Sequence, residues 1–230
     1  AFTTFSGSAY SSPGALSAIS GDSGETHWSI TTAGGHSING AGGVALGDLN
    51  GDGWVEVCVS GTSVSVICVN GQDGSFLWAG GTETSTYGCP AIADLDGDGL
   101  AEVIHGRTVL NHDGSLRFQG TGGSGGGTYM SFAVDWDGDG SLEVVAGNTV
   151  YRPDGSILWS DSLDDSAPAI GDFNLDGLPD LVRAGGGKVT VTMNDGSLLW
   201  SLPTTGGGSA GASLLRRRGR GSRCASRRSP

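Results

Sequence analysis

The sequence predicts an all-β fold: a β-propeller of four-stranded blades, with about four and a half blades present, so that the propeller is incomplete or truncated. Three observations predict it. An acidic nine-residue segment recurs four times, an Asp-Gly turn motif alternates with it, and 44 of the 230 residues are glycine. That glycine content suits many short strands joined by tight turns and fits helical bundles poorly.

The acidic segment runs Asp48-Leu-Asn-Gly-Asp-Gly-Trp-Val-Glu56 and recurs as Asp94-Leu-Asp-Gly-Asp-Gly-Leu-Ala-Glu102. It appears again as Asp135-Trp-Asp-Gly-Asp-Gly-Ser-Leu-Glu143 and as Asp172-Phe-Asn-Leu-Asp-Gly-Leu-Pro-Asp180. The first aspartates stand 46, 41 and 37 residues apart, a period that belongs to propeller blades.

Between these segments lie Asp73-Gly-Ser-Phe-Leu-Trp78, Asp113-Gly-Ser-Leu-Arg-Phe118, Asp154-Gly-Ser-Ile-Leu-Trp159 and Asp195-Gly-Ser-Leu-Leu-Trp200, with a looser copy at Asp22-Ser-Gly-Glu-Thr-His-Trp28. Asp-Gly between apolar runs is a hairpin signal, since both residues tolerate positive φ. The aromatic then falls on the next strand, where its area packs between neighbouring sheets.

Each unit therefore reads as four strands. In the last, Ala167–Phe173 precedes the acidic loop, Pro179–Ala184 and Lys188–Met193 follow it, and the Asp195-Gly196 turn leads into Leu198–Leu202. The second strands Val55–Val59, Glu102–Ile104 and Leu142–Val145 are apolar and rich in valine, as a buried sheet requires. The chain divides into an N-terminal half-blade and linker (1–42), four blades (43–205) and a Gly/Arg-rich tail (206–230).

The acidic segment has the donor pattern of a calcium loop. Ca²⁺ takes six to eight oxygen ligands at about 2.3–2.6 Å. Positions 1, 3 and 5 turn side-chain oxygens inward: Asp48, Asn50 and Asp52; Asp94, Asp96 and Asp98; Asp135, Asp137 and Asp139; Asp172, Asn174 and Asp176. Glycine at position 6 bends the chain. Position 7 offers its carbonyl (Trp54, Leu100, Ser141, Leu178), and position 9 brings a last carboxylate (Glu56, Glu102, Glu143, Asp180). An EF-hand would need a glutamate at position 12 and flanking helices. Position 12 is Val59, His105, Ala146 and Arg183, and the flanks are β-like. Fourteen of the 24 acids lie in these four loops, where without cations they would repel one another and raise their own pKa values. About four Ca²⁺ ions are expected, and loops two and three, with four carboxylates each, should bind more tightly than loops one and four.

On these residues the blade pattern resembles the FG-GAP/VCBS repeat of integrin-α-type propellers and their bacterial extracellular relatives, over about residues 43–204. The resemblance implies that the acidic loop joins the first and second strands of a blade and holds one Ca²⁺. The Asp-Gly…Leu-Trp motif is also similar to propeller repeats of quinoprotein dehydrogenases, without any further quinone-site signature.

Net charge separates the body from the tail. Residues 1–215 carry a net −19, whereas seven arginines and no acid follow Leu215. The body should repel nucleic acid and anionic membranes, and no apolar run approaches the length that spans a bilayer. The tail is expected to be disordered. Arginine codons of the form CGN, read one base on, give GNC codons for Asp, Val, Ala or Gly, which points to a frameshifted end. The alternative is a five-bladed ring in which residues 206–215 add a first strand to the N-terminal third and fourth strands. An open blade edge should favour self-association.

Cys58 and Cys68 stand on two strand-like runs, and both a cross-strand disulfide and a pair of buried free thiols fit the pattern. Trp28, Trp78, Trp159 and Trp200 read as inter-blade core, Gly122–Gly127 as a linker between blades, and His27, His36, His105 and His112 as surface or turn residues. Every acid cluster belongs to a repeat, so a non-enzymatic, secreted or cell-surface module binding a protein or glycan ligand is expected. A calcium-dependent lectin or a piece of a polysaccharide-active enzyme is the alternative.

Overall fold

Twenty-one short strands and one 3₁₀ turn (Gly126–Thr128) form the protein in its computed structural model, which describes residues 1–5 and 13–204. The expectations for the tail, including its disorder and the closing strand at 206–215, lie outside the described residues.

Four antiparallel sheets repeat one design. Blade one is β6 (Val44–Gly47), β7 (Glu56–Val59), β8 (Val66–Asn70) and β9 (Phe76–Gly80), and blade two is β10 (Ala91–Ala93), β11 (Glu102–His105), β12 (Thr108–Leu110) and β13 (Leu116–Gln119). Blade three is β14 (Ser131–Val134), β15 (Glu143–Ala146), β16 (Thr149–Tyr151) and β17 (Ile157–Ser160). Blade four is β18 (Pro168–Gly171), β19 (Asp180–Gly185), β20 (Lys188–Thr192) and β21 (Leu198–Pro203).

Before them stands a sheet of β1 (Phe2–Phe5), β2 (Gly14–Ile19) and β3 (Thr26–Ile30), followed by the small hairpin β4 (Thr32–Ala33) and β5 (His36–Ser37). The N-terminal unit is thus larger than the expected half-blade. Phe2–Phe5 pairs with Gly14–Ser17 as a further strand, so three of the four blade positions are filled.

Burial follows the strand order. The residues of β7, β11 and β15 are all buried, because these valine-rich strands have a neighbouring sheet on each face. The fourth strands are half-exposed, and β21 is exposed along its length. The core lies between blades. Leu16, Trp28 and Ile38 pack on Val57 and Ile67; Leu49 and Val66 on Val103 and Leu110; Ile104 and Val109 on Val144 and Tyr151; and Trp136 and Val150 on Leu181.

Each third strand ends in a register shift one residue before its turn, in the N-terminal sheet as in all four blades. The extra residue tightens the chain into the Asp-Gly hairpin. Cys58 and Cys68 are directly opposed on β7 and β8 and form a disulfide, which decides between the two readings of the cysteines.

Candidate metal centre

Each acidic segment bridges the first and second strands of its blade, and position 9 is the first residue of the second strand. This placement fixes the loop at both ends. At the near end, the position-2 side chains of the first three loops, Leu49, Leu95 and Trp136, are buried in the inter-blade core. At the far end, Glu56, Glu102, Glu143 and Asp180 are 0–2% exposed.

The two ends are tied together. One oxygen of each position-9 carboxylate accepts from the position-2 N–H: Glu56 from Leu49 at 2.7 Å, Glu102 from Leu95 at 2.9 Å, Glu143 from Trp136 at 2.8 Å and Asp180 from Phe173 at 2.7 Å. The position-1 aspartate shapes the turn. Asp48, Asp94 and Asp135 each accept from the position-4 N–H with one oxygen and the position-6 N–H with the other, at 2.7–3.1 Å. In loop four, Asp172 accepts instead from Asp176 and Gly177, both at 3.1 Å. The position-5 aspartates accept from the position-7 N–H of Trp54, Leu100, Ser141 and Leu178 at 2.7–2.9 Å.

Two loops bring three carboxylates together. Oxygens of Asp94, Asp96 and Glu102, and likewise of Asp135, Asp137 and Glu143, lie within 4.8 Å of one another. These are positions 1, 3 and 9; Asp98 and Asp139 at position 5 stand outside the clusters. In loops one and four, Asn50 and Asn174 at position 3 leave two carboxylates at the corresponding places. In loop four, Leu175 takes position 4 with φ +65°, where the other loops have glycine at +74° to +78°.

The electrostatics follow from crowding around a buried acid. Desolvation holds the Glu56, Glu102 and Glu143 carboxyls above the ordinary 4.5, and neighbouring aspartates add to the effect. The donor set is all oxygen and strongly anionic, which fits a hard divalent cation such as Ca²⁺ and excludes a thiolate or imidazole site.

Loop two contains a charge that its own segment does not reveal. Arg117 on β13 donates to Asp96 at 2.8 Å and to Glu102 at 3.1 Å, and its Nε donates to the Pro153 carbonyl of blade three at 3.0 Å. The corresponding residues of the other blades are Leu77, Leu158 and Leu199. The leucine-to-arginine change within the turn motif is the one sequence signal that could have found it. His105 corrects a second expectation: it is fully buried and stacked on Tyr129, with ring centroids 5.3 Å apart.

These blades, with an acidic loop between first and second strands, define an incomplete β-propeller built of acidic-loop repeats. Residues 48–105 match the FG-GAP-like repeat family. No curated protein matches the chain. Among solved structures, the chain is similar to the V. cholerae biofilm matrix protein Bap1 at 26% identity and a TM-score of 0.76, over 91% of this chain and 36% of that one. It shares its fold with a Bacillus licheniformis rhamnogalacturonan lyase (16% identity, TM-score 0.57, 82% of this chain and 37% of that one). It also shares it with the exotype rhamnogalacturonan lyase YesX (17%, 0.58, 86% and 44%). The chain thus spans less than half the length of each.

Proposed function

We propose that the protein is a calcium-binding propeller module, secreted or on the cell surface, that binds a protein or glycan ligand in adhesion and is not itself an enzyme. The observation that carries this reading is the convergence of three carboxylates within 4.8 Å in loops two and three, each including a glutamate 2% exposed. Each loop would hold one Ca²⁺, four in all, through the side chains at positions 1, 3, 5 and 9 and the carbonyl at position 7. A bound Ca²⁺ supplies charge neutralisation there. The buried Glu56 and Glu143 orient one oxygen by a backbone hydrogen bond and keep the other for the ion, whereas the second oxygen of Glu102 accepts from Arg117.

Secretion is supported by the Cys58–Cys68 disulfide, which persists in oxidising compartments, and by the likeness to a biofilm matrix protein. No described helix is long and apolar enough to cross a membrane. Adhesion is favoured because the acid clusters repeat from blade to blade, whereas a catalytic site needs groups that do not repeat. Among the described residues β21 is the outermost strand of its sheet and is exposed, an edge suited to self-association.

The second reading is a calcium-dependent lectin or a piece of a polysaccharide-active enzyme, and the fold shared with two lyases favours it. A glycan array probed in calcium and in chelator, with rhamnogalacturonan digestion alongside, tests both. Calcium-dependent retention without polymer cleavage supports the adhesion module. Cleavage products would replace it with the enzyme reading.

A further inference from the structure

Blade two departs from the other blades at two adjacent residues, and the departures explain each other. Trp28 and Trp78 donate their indole N–H to carbonyls in the turn of the next blade, at Gly71 (2.9 Å) and His112 (2.8 Å). Blade two has Phe118 at this place, which has no N–H to give. Arg117 makes the bond instead: its Nε reaches the Pro153 carbonyl in the turn of blade three at 3.0 Å. With Nε held there, the two terminal nitrogens turn back onto loop two, one to Asp96 and one to Glu102. The Arg117 side chain is 22% exposed and the Glu102 side chain 3%, so that pair is largely withdrawn from water, whereas Asp96, with 35% of its side chain exposed, holds the outer end of the guanidinium at the surface. In blade three the Leu158-Trp159 pair is retained, and Leu158 packs in the apolar core beside Trp136. No cationic side chain lies within 4.0 Å of Asp135, Asp137 or Glu143 among the described residues.

We propose that Arg117 is an internal cation that competes with a divalent ion for the Asp96–Glu102 pair, so that loop two is held by the protein itself while loop three depends on calcium. This inference rests on the calcium reading of the loops and deepens it. The guanidinium donates two charge-assisted hydrogen bonds to two of the three clustered carboxylates. An ion that coordinates both must displace it, and the arginine resists because its Nε bond to Pro153 would be strained or lost as well. Loop two therefore has as many carboxylates as loop three but a reduced calcium affinity, and the order expected from charge counting changes. Loop three becomes the tightest site. The same side chain makes the junction of blades two and three independent of calcium.

Hydrogen exchange on the full-length protein, in EDTA and across a calcium titration, tests the proposal. The probes are the amides of Leu95, Gly97 and Gly99 in loop two and of Trp136, Gly138 and Gly140 in loop three. In the wild-type protein, calcium should slow exchange in loop three by about tenfold or more, while loop two, already protected in EDTA, changes less than about twofold at the same concentration. The double variant Arg117→Leu/Phe118→Trp restores the residue pair of the other blades. It should make loop two respond to calcium with about tenfold higher affinity than the wild type. Equal responses of both loops in the wild type would overturn the proposal. So would a loop two that stays silent in the double variant while loop three responds. Silence of both loops in both proteins would instead remove the calcium reading itself.

Discussion

Trp78 of blade one lies on Gly114 of blade two: a Cβ added to Gly114 would stand 2.7 Å from the indole, and the indole N–H donates to the neighbouring His112 carbonyl. The relationship recurs along the chain. Trp28 covers Gly74, Phe118 covers Gly155 and Trp159 covers Gly196, with Cβ approaches of 2.7–2.9 Å. The Asp-Gly turn is therefore a seat for the previous blade's aromatic as well as a hairpin. Trp200, which closes the series, is 38% exposed.

Gly114→Ala should then cost more than its backbone alone. Gly114 has φ +85° and Gly24 has φ +73°, but a Cβ on Gly24 meets nothing within 4 Å. Gly24→Ala should lose about 1 kcal/mol to backbone strain. Gly114→Ala adds a clash with a packed indole and should lose at least about 2 kcal/mol. Denaturant unfolding of the two variants separates the terms, and equal losses would deny the seat its role.

Leu175→Gly should stabilise the protein although it removes a large apolar side chain. Leu175 is 75% exposed and sits at φ +65°, so the side chain offers little burial while the backbone is strained. Relief of a left-handed leucine is expected to gain about 1 kcal/mol. A lowered melting temperature in this variant would mean that Leu175 has packing value.

Acid should weaken the fold through His105. Burial lowers its pKa from 6.5 to about 4, with the nearby Glu83 opposing the shift, and neither ring nitrogen has a hydrogen-bond partner among the described residues. The unfolded chain therefore binds a proton that the folded one refuses. Stability is full above pH 6.5 and is lost as pH falls towards about 4, by at most about 3 kcal/mol. His105→Leu should abolish this difference between pH 7.5 and 5 while leaving stability at pH 7.5 within about 1 kcal/mol. An unchanged slope in the variant would place the acid sensitivity elsewhere.

Glu143→Gln should separate the structural and metal roles of position 9. A glutamine keeps an oxygen for the Trp136 N–H, now 2.8 Å from the carboxylate, but carries no charge. Because the folded carboxyl titrates above 4.5, its contribution is most favourable below that pH and declines as pH rises through the folded value. At pH 7 in chelator the variant should match or exceed the wild type, whereas in millimolar calcium the wild type should gain more. A variant less stable in chelator by more than about 1 kcal/mol would show that the charge itself holds the apo loop.

The loops and turns are legible in the sequence because their chemistry demands certain residues at fixed spacing: oxygens at alternate positions, glycine where φ is positive. What stays hidden depends on partners far along the chain. Arg117 reads as an ordinary strand residue until Asp96 and Glu102, 21 and 15 residues away, are brought beside it. The burial of His105 comes from Tyr129 and Gly88, in the segments that join blade two to its neighbours. The Cys58–Cys68 bond depends on a pairing register that a slip of one residue would destroy. The first N-terminal strand, Phe2–Phe5, is only four residues long, too short for its alternation to stand out.

Calcium titration of EDTA-stripped protein by isothermal calorimetry decides whether the acidic loops bind the ion. Saturable binding of more than one ion per chain is expected, approaching four in millimolar calcium, with the tightest event lost in Asp137→Ala. Absence of any saturable heat up to millimolar calcium would contradict it, and the four acidic loops would then be polar turns held by their own backbone hydrogen bonds.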